Sequence, residues 1–191
     1  MLNHKGTNYI ETDRLILRRF RSEDAPAMFR NWAGDREVPK FLTWNVHRSV
    51  ADTECVVNMW TAQYNDTSTY NWVIVLKELG EPIGSIDVCR IYENIGGAEI
   101  GYCIGKPWWG KGIMTEAFSA VIPYLFNAGF EQIRAAHAVQ NPASGRVMEK
   151  CGLKYEGTFR RFFRSTAGEL LDLSFYSIQR DEYLKSKNLN T

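Results

Sequence analysis

Trp108-Trp109-Gly110-Lys111-Gly112-Ile113-Met114-Thr115-Glu116-Ala117 is the stretch on which the fold turns. It follows Ala98-Glu99-Ile100-Gly101-Tyr102-Cys103-Ile104, whose alternation and branched and aromatic residues read as a strand. It leads into residues 118–126, an apolar run that suits a buried helix. A strand, a turn with glycines at 110 and 112, and a helix start together make a device for holding phosphate. Glycine lets the backbone approach an anion, and the first helical N–H groups have no partner inside the helix. The helix dipole adds partial positive charge at the same point. The dinucleotide fingerprint is not met, because Thr115 stands where G-x-G-x-x-G needs its third glycine. The spacing of a P-loop is absent as well.

A second element narrows the reading. Asn141-Pro142-Ala143-Ser144-Gly145-Arg146-Val147-Met148-Glu149-Lys150-Cys151-Gly152-Leu153 follows a strand-like run at residues 133–139. Asn141-Pro142 reads as a helix start and Gly152 as its stop. Working outward, a first strand is expected at 10–21, with Ser22 capping a helix over 23–32. A loop is expected at 35–48, a helix at 49–64, and strands at 70–76 and 82–92 around a turn at Gly80. Gly96-Gly97 turns the chain into the Glu99 strand, and two further strands are expected at 154–163 and 170–178. Pro123 predicts a kink or an early helix end, since a mid-helix proline costs about 3 kcal/mol. Antiparallel strands first and β-helix-β later predict an α+β fold, with a mixed, mostly antiparallel sheet of about seven strands flanked by helices. One domain with its core at about 10–183 is expected over residues 1–191.

In this order and at these separations the motifs resemble the GNAT superfamily of N-acetyltransferases. Within it they are most similar to the branch of the RimJ and RimL ribosomal-protein N-terminal acetyltransferases. The resemblance runs from Thr12-Asp13-Arg14-Leu15-Ile16-Leu17-Arg18 to about Tyr183, through Ile83-Gly84, Glu99-Ile100-Gly101-Tyr102, residues 107–117 and Asn141 to Gly152. It implies acetyl-CoA as cosubstrate and a primary amine as acceptor, either a protein N-terminus or a small molecule. It places the cofactor along Tyr102, Cys103, Ile104, Trp109, Gly110, Lys111, Gly112, Ile113, Met114, Thr115, Asn141 and Ser144. One departure stands out. The superfamily often carries Gln or Arg three residues before the first loop glycine, and Pro107 takes that place here, so a side-chain clamp is lost.

The chemistry implied is attack of an amine on a thioester. An amine of pKa about 8–10 arrives largely protonated, so a base must take a proton before attack. Glu99 is the first candidate, because related enzymes carry a base-like glutamate at that place; Glu156, Asp87, Asp172 and ordered water are its rivals. Ser144 is implied as the hydroxyl near the CoA sulfur, its ordinary alternative being a first-turn serine that satisfies a free N–H. The resemblance puts the Asn141 amide on the pantetheine arm, against a helix-capping role. Lys111 is a candidate phosphate contact and Trp108 and Trp109 candidate channel walls. Arg160, Arg161 and Arg164 are either a 3′-phosphate site or a charged strand edge. The alternative to an active enzyme is a CoA-binding sensor or partner module on the same fold.

Bulk properties exclude other classes. Lys plus Arg number 23 and Asp plus Glu 22, a formal charge of +1, which is no nucleic-acid footprint. Cys55, Cys89, Cys103 and Cys151 lie singly and read as reduced, buried thiols. His4, His47 and His137 are scattered, so no metal site is expected. No apolar run reaches the ~20 residues of a membrane span, and residues 1–11 lack a signal-peptide core. A cytoplasmic enzyme without membrane partners, possibly a homodimer, is expected, with acceptor loops at 35–48 and 64–69.

Overall fold

The computed structural model describes residues 2–188; Met1 and residues 189–191, which the expected domain bounds include, lie outside the described residues. Eight strands form one sheet: β1 (Ile10–Glu11), β2 (Leu15–Arg18), β3 (Asn71–Leu76), β4 (Glu81–Tyr92), β5 (Gly97–Ile104), β6 (Gln132–Ala138), β7 (Lys154–Arg164) and β8 (Leu170–Gln179). Their order is β1-β2-β3-β4-β5-β6-β8-β7. Neighbours are antiparallel except β5 and β6. The expected α+β class with a mostly antiparallel sheet is what the chain adopts.

The helices are α1 (Ala25–Met28), α2 (Val50–Gln63), α3 (Ile113–Asn127), α4 (Pro142–Lys150) and α5 (Arg180–Asn188). One face of the sheet packs on α3, where Phe118, Val121, Ile122 and Leu125 meet Leu17, Trp72, Ile74 and Ile86. The other face packs on the α1–α2 region, where Met28, Trp32 and Val57 meet Val73 and Val75. Period-2 alternation in β3 divides its side chains between these two cores.

Four expectations need correction. The single strand at 10–21 is two strands, because a tight turn reverses the chain: Thr12 N–H donates to Leu15 O at 3.0 Å and Leu15 N–H to Thr12 Oγ1 at 3.0 Å. Ser22 is not the cap. Arg21 holds that position, its N–H bonded to the Asp24 carboxylate at 2.8 Å, and that carboxylate is also clamped by Arg18. The turns then widen at Phe29–Ala33, closing with Gly34 N–H on Phe29 O. Helix α3 does not end at Pro123; it runs on to Asn127 because Val121, Ile122, Leu125 and Phe126 are all buried there. The cysteines are all free, but Cys55 and Cys89 are exposed rather than buried, Cys89 being the extra residue of a bulge in β4.

The stop of α4 follows its sequence signal. Gly152 takes φ +87°, which lets its N–H reach Glu149 O at 3.0 Å and Leu153 N–H reach Met148 O at 3.1 Å.

Candidate active site

The sheet supplies the site by coming apart. Strands β5 and β6 pair only over Gly97–Glu99 with Gln132–Arg134. Beyond that point β5 stays with β4 and β6 stays with β8 along its whole length. Residues 100–104 and 135–138 therefore face each other across a cleft without a ladder between them.

The 105–115 turn closes one end of this cleft. Gly105 must be glycine, because a Cβ would come within 2.1 Å of the Asn31 carbonyl oxygen, and Asn31 is tied to Pro82 O at 2.7 Å. Gly110 and Gly112 both take φ +73°, a left-handed conformation that side-chain-bearing residues avoid. The N–H groups of residues 110–115 meet no acceptor among the described residues, so successive amides stand open at a helix start. The turn is fastened from behind. Arg14 Nη1 donates to Lys111 O at 3.1 Å, while the Glu116 carboxylate accepts from Thr12 Oγ1 at 2.6 Å, Arg14 Nε at 2.6 Å and Arg14 N–H at 3.0 Å. Lys111 is exposed and makes no ion pair among the described residues. Trp109 turns back to donate from Nε1 to Ile104 O at 2.8 Å, while Trp108 packs on the core.

Across the cleft, α4 begins at Asn141, whose side chain caps nothing. Ser144 donates from Oγ to the Tyr102 hydroxyl at 2.8 Å, and that hydroxyl donates to Ser144 O at 2.9 Å. Ser144 is thus bonded across the cleft rather than to a free N–H of its own helix. Burial pushes the Tyr102 phenol well above its ordinary value, so it stays protonated.

A cavity of about 620 Å³ opens from the cleft toward α1 and α2. Its walls include Trp32, Trp44, Trp60, Phe41 and Phe162, with Ser85, Asp87, Glu99, Gly101 and Cys103 on its sheet side. Glu99 is half-buried and accepts from the Tyr92 hydroxyl at 2.7 Å; the Arg134 guanidinium lies 4.5 Å above the Tyr92 ring. Asp87 lies in register with Gly101 on β5. Burial raises its carboxyl to about 7, and lifts the Cys103 thiol to about 11.

The other expected carboxylates do not reach the cavity wall. Glu156 is exposed on β7 and bonded to the Ser177 hydroxyl. Asp172 accepts from Arg161 N–H at 2.8 Å, steadying a bulge in β7 where Arg161 itself takes φ +53°. Arg160, Arg161 and Arg164 are exposed on β7, at the end of the sheet order. Of the two expected acceptor loops, residues 41–44 and His47 line the cavity, whereas the 64–69 turn packs on Gly6 and Thr7. The histidines go separate ways: His4 to Glu93, His47 to Thr53 at 2.8 Å, His137 to Ala138 O at 2.8 Å. Among the described residues no group of three His, Cys, Asp or Glu side chains is placed to hold a metal ion. Sequence reasoning missed the aromatic walls, which come from four separate segments with no local pattern to mark them.

A turn of open amides beside a splayed parallel pair is matched by family comparison. The model of the acetyltransferase (GNAT) domain covers residues 14–154. The chain belongs to the GNAT acetyltransferase family. It is similar to the uncharacterized N-acetyltransferase YoaA of Bacillus subtilis (strain 168), 32% identical over 170 residues that cover 88% of this chain and 95% of that one. It is also similar to the [ribosomal protein uS5]-alanine N-acetyltransferase of Escherichia coli (strain K12), 26% identical over 78% of this chain and 79% of that one. Among solved structures, RimL, a ribosomal L7/L12 α-N-protein acetyltransferase in complex with coenzyme A, superposes with a TM-score of 0.81 at 20% identity, over 92% of this chain and 99% of that one. The last likeness is one of fold. This GNAT chain is therefore an enzyme of the N-acetyltransferase class with RimJ/RimL-like relatives, and relatives in the family bind CoA or acetyl-CoA. No helix among the described residues is long and apolar enough to cross a membrane.

Proposed function

We propose that this enzyme moves the acetyl group of acetyl-CoA to a primary amine by direct attack in a ternary complex, within one domain whose core spans residues 10–183. The observation that carries the reading is the run of open amides at 110–115 beside the β5–β6 cleft. Those amides and Lys111 take the pyrophosphate, with the α3 dipole behind them. The pantetheine arm then follows residues 102–104 along the open edge of β5, where strand-like hydrogen bonds to its amides are available, and the free Asn141 side chain meets it from α4.

Glu99 takes a proton from the acceptor ammonium, directly or through water, and the neutral amine attacks the thioester carbon. The tetrahedral oxyanion forms beside the unpaired stretch of β5, where a backbone N–H stabilises it. As it collapses, the C–S bond breaks and the thiolate leaves. Ser144, whose Oγ donates to the Tyr102 hydroxyl in the free enzyme, turns to donate to that thiolate, and the second proton lost by the acceptor nitrogen passes through water to restore the Ser144 hydroxyl. A CoA thiolate, whose conjugate thiol has a pKa of about 8.5 like a cysteine, is a fair leaving group, so this help is modest.

Release of free thiol from acetyl-CoA, assayed with a panel of amines and peptides starting with Ala or Ser, tests the proposal. Thiol release that depends on an amine supports it. CoA binding without transfer to any acceptor would make the chain a sensor or partner module instead.

A further inference from the structure

The Asp87 carboxylate has no hydrogen-bond or ion-pair partner among the described residues, yet it lines the cavity and keeps its oxygens open to it. Its neighbours do not neutralise it. Ser85 is engaged with Cys103 Sγ at 3.3 Å, and Gly101 opposite has no side chain, a Cβ there coming within 3.2 Å of Asp87 Oδ1. Arg90, which also lines the cavity, and Arg134 lie against the Tyr92 ring at 5.9 and 4.5 Å and make no ion pair with Asp87. An enclosed carboxylate without a partner is costly, and a cation brought in by a ligand removes that cost.

The walls say what kind of cation. Trp32, Trp44, Trp60, Phe41 and Phe162 surround the space above Asp87. Aromatic faces attract an ammonium and cover an apolar body with little entropy loss. A volume of about 620 Å³ suits one small ligand. At Asp87 itself β4 is paired on both sides, with Asn71 and Gly101, so no strand edge is free there to hold a peptide main chain.

We infer that Asp87 seats the ammonium of the acceptor and that the aromatic walls select a small primary amine with an apolar body. This rests on the acetyltransferase reading above and deepens it. Asp87 binds the charged acceptor, and Glu99 then takes the proton. Other titratable groups on this cavity are Cys89 and Arg90 from β4, Glu99, Tyr102 and Cys103 from β5, His137 from β6 and His47 from the loop before α2. Burial holds the Cys103 thiol neutral and also lowers His47.

The test is steady-state thiol release by the full chain at saturating acetyl-CoA, with phenylethylamine, putrescine and a peptide beginning with alanine. Phenylethylamine is expected to give the highest kcat/KM. Asp87→Asn should raise its KM about tenfold to a hundredfold, the loss expected for one charge-assisted contact, with kcat nearly unchanged. Glu99→Gln should show the opposite split, losing kcat. Should Asp87→Asn fail to fold, Trp44→Ala gives the same readout, a raised KM for phenylethylamine with putrescine little affected. Unchanged KM in the folded Asn variant, or transfer to the peptide but not to phenylethylamine, overturns this inference and leaves the acetyltransferase reading standing. Transfer to none of the three, with CoA still bound, overturns both.

Discussion

Replacing Asp87 by Asn should stabilise the protein, and more so as pH rises. The carboxyl titrates at about 7 in the fold against 3.8 in an unfolded chain, and the cause is burial. Between those values the folded state holds a proton that the unfolded state has released. Folding stability therefore falls as pH rises from about 4 to about 7. About three units at 1.36 kcal/mol each give a ceiling of about 4 kcal/mol. Water entering the open cavity lowers this, so roughly 1–3 kcal/mol is expected. For a chain of this size 1 kcal/mol moves Tm by roughly 2–4 °C. Asn keeps the shape and cannot ionise, so contributions of other groups cancel in the difference between the two proteins. Thermal melts of both, without ligand, across about pH 3.5 to about pH 8 give the answer. The variant should match wild type within about a degree at the acid end and exceed it by several degrees at the alkaline end. A Tm difference that stays flat with pH, or shrinks as pH rises, would refute the claim that Asp87 is an enclosed, unpaired acid.

Gly112→Val forces a branched residue into φ +73° and should weaken CoA binding in a protein that still folds, because its Cβ meets no atom closer than 3.8 Å; calorimetric titration with CoA reads this, and unchanged affinity excludes the 110–115 turn. Ser144→Ala should lower turnover by about tenfold, some 1.4 kcal/mol of barrier, at similar acetyl-CoA affinity. Wild-type turnover would leave Ser144 a purely structural partner of Tyr102. Glu99→Gln should cut kcat/KM at neutral pH by about 10²- to 10⁴-fold and recover as pH rises, since a free amine needs no base. A pH–rate profile that overlays wild type would move the proton to Asp87 or a water chain, and a uniform loss at every pH would indicate positioning instead.

Local chemistry made much of this enzyme readable before folding. The glycines at 110 and 112 announce left-handed turns, Pro142 and Gly152 bracket α4, and alternation marks β5, because each signal acts through a residue's own backbone or its nearest neighbours. The break at Asp13 was hidden because the turn depends on a Thr12 hydroxyl bond inside a run that still alternates. The early end that Pro123 allows does not occur, because burial of four apolar side chains outweighs one missing hydrogen bond, and burial is a property of the assembled core. The same limit governs the site. Family motifs pointed to Glu99, Ser144 and Asn141 one by one. Only the tertiary structure joined Ser144 to Tyr102, sent Glu156 and Asp172 away from the cavity, and enclosed Asp87 among aromatics drawn from distant segments. Enclosure and desolvation are set by what the whole chain packs around a group, so no stretch of sequence carries them alone.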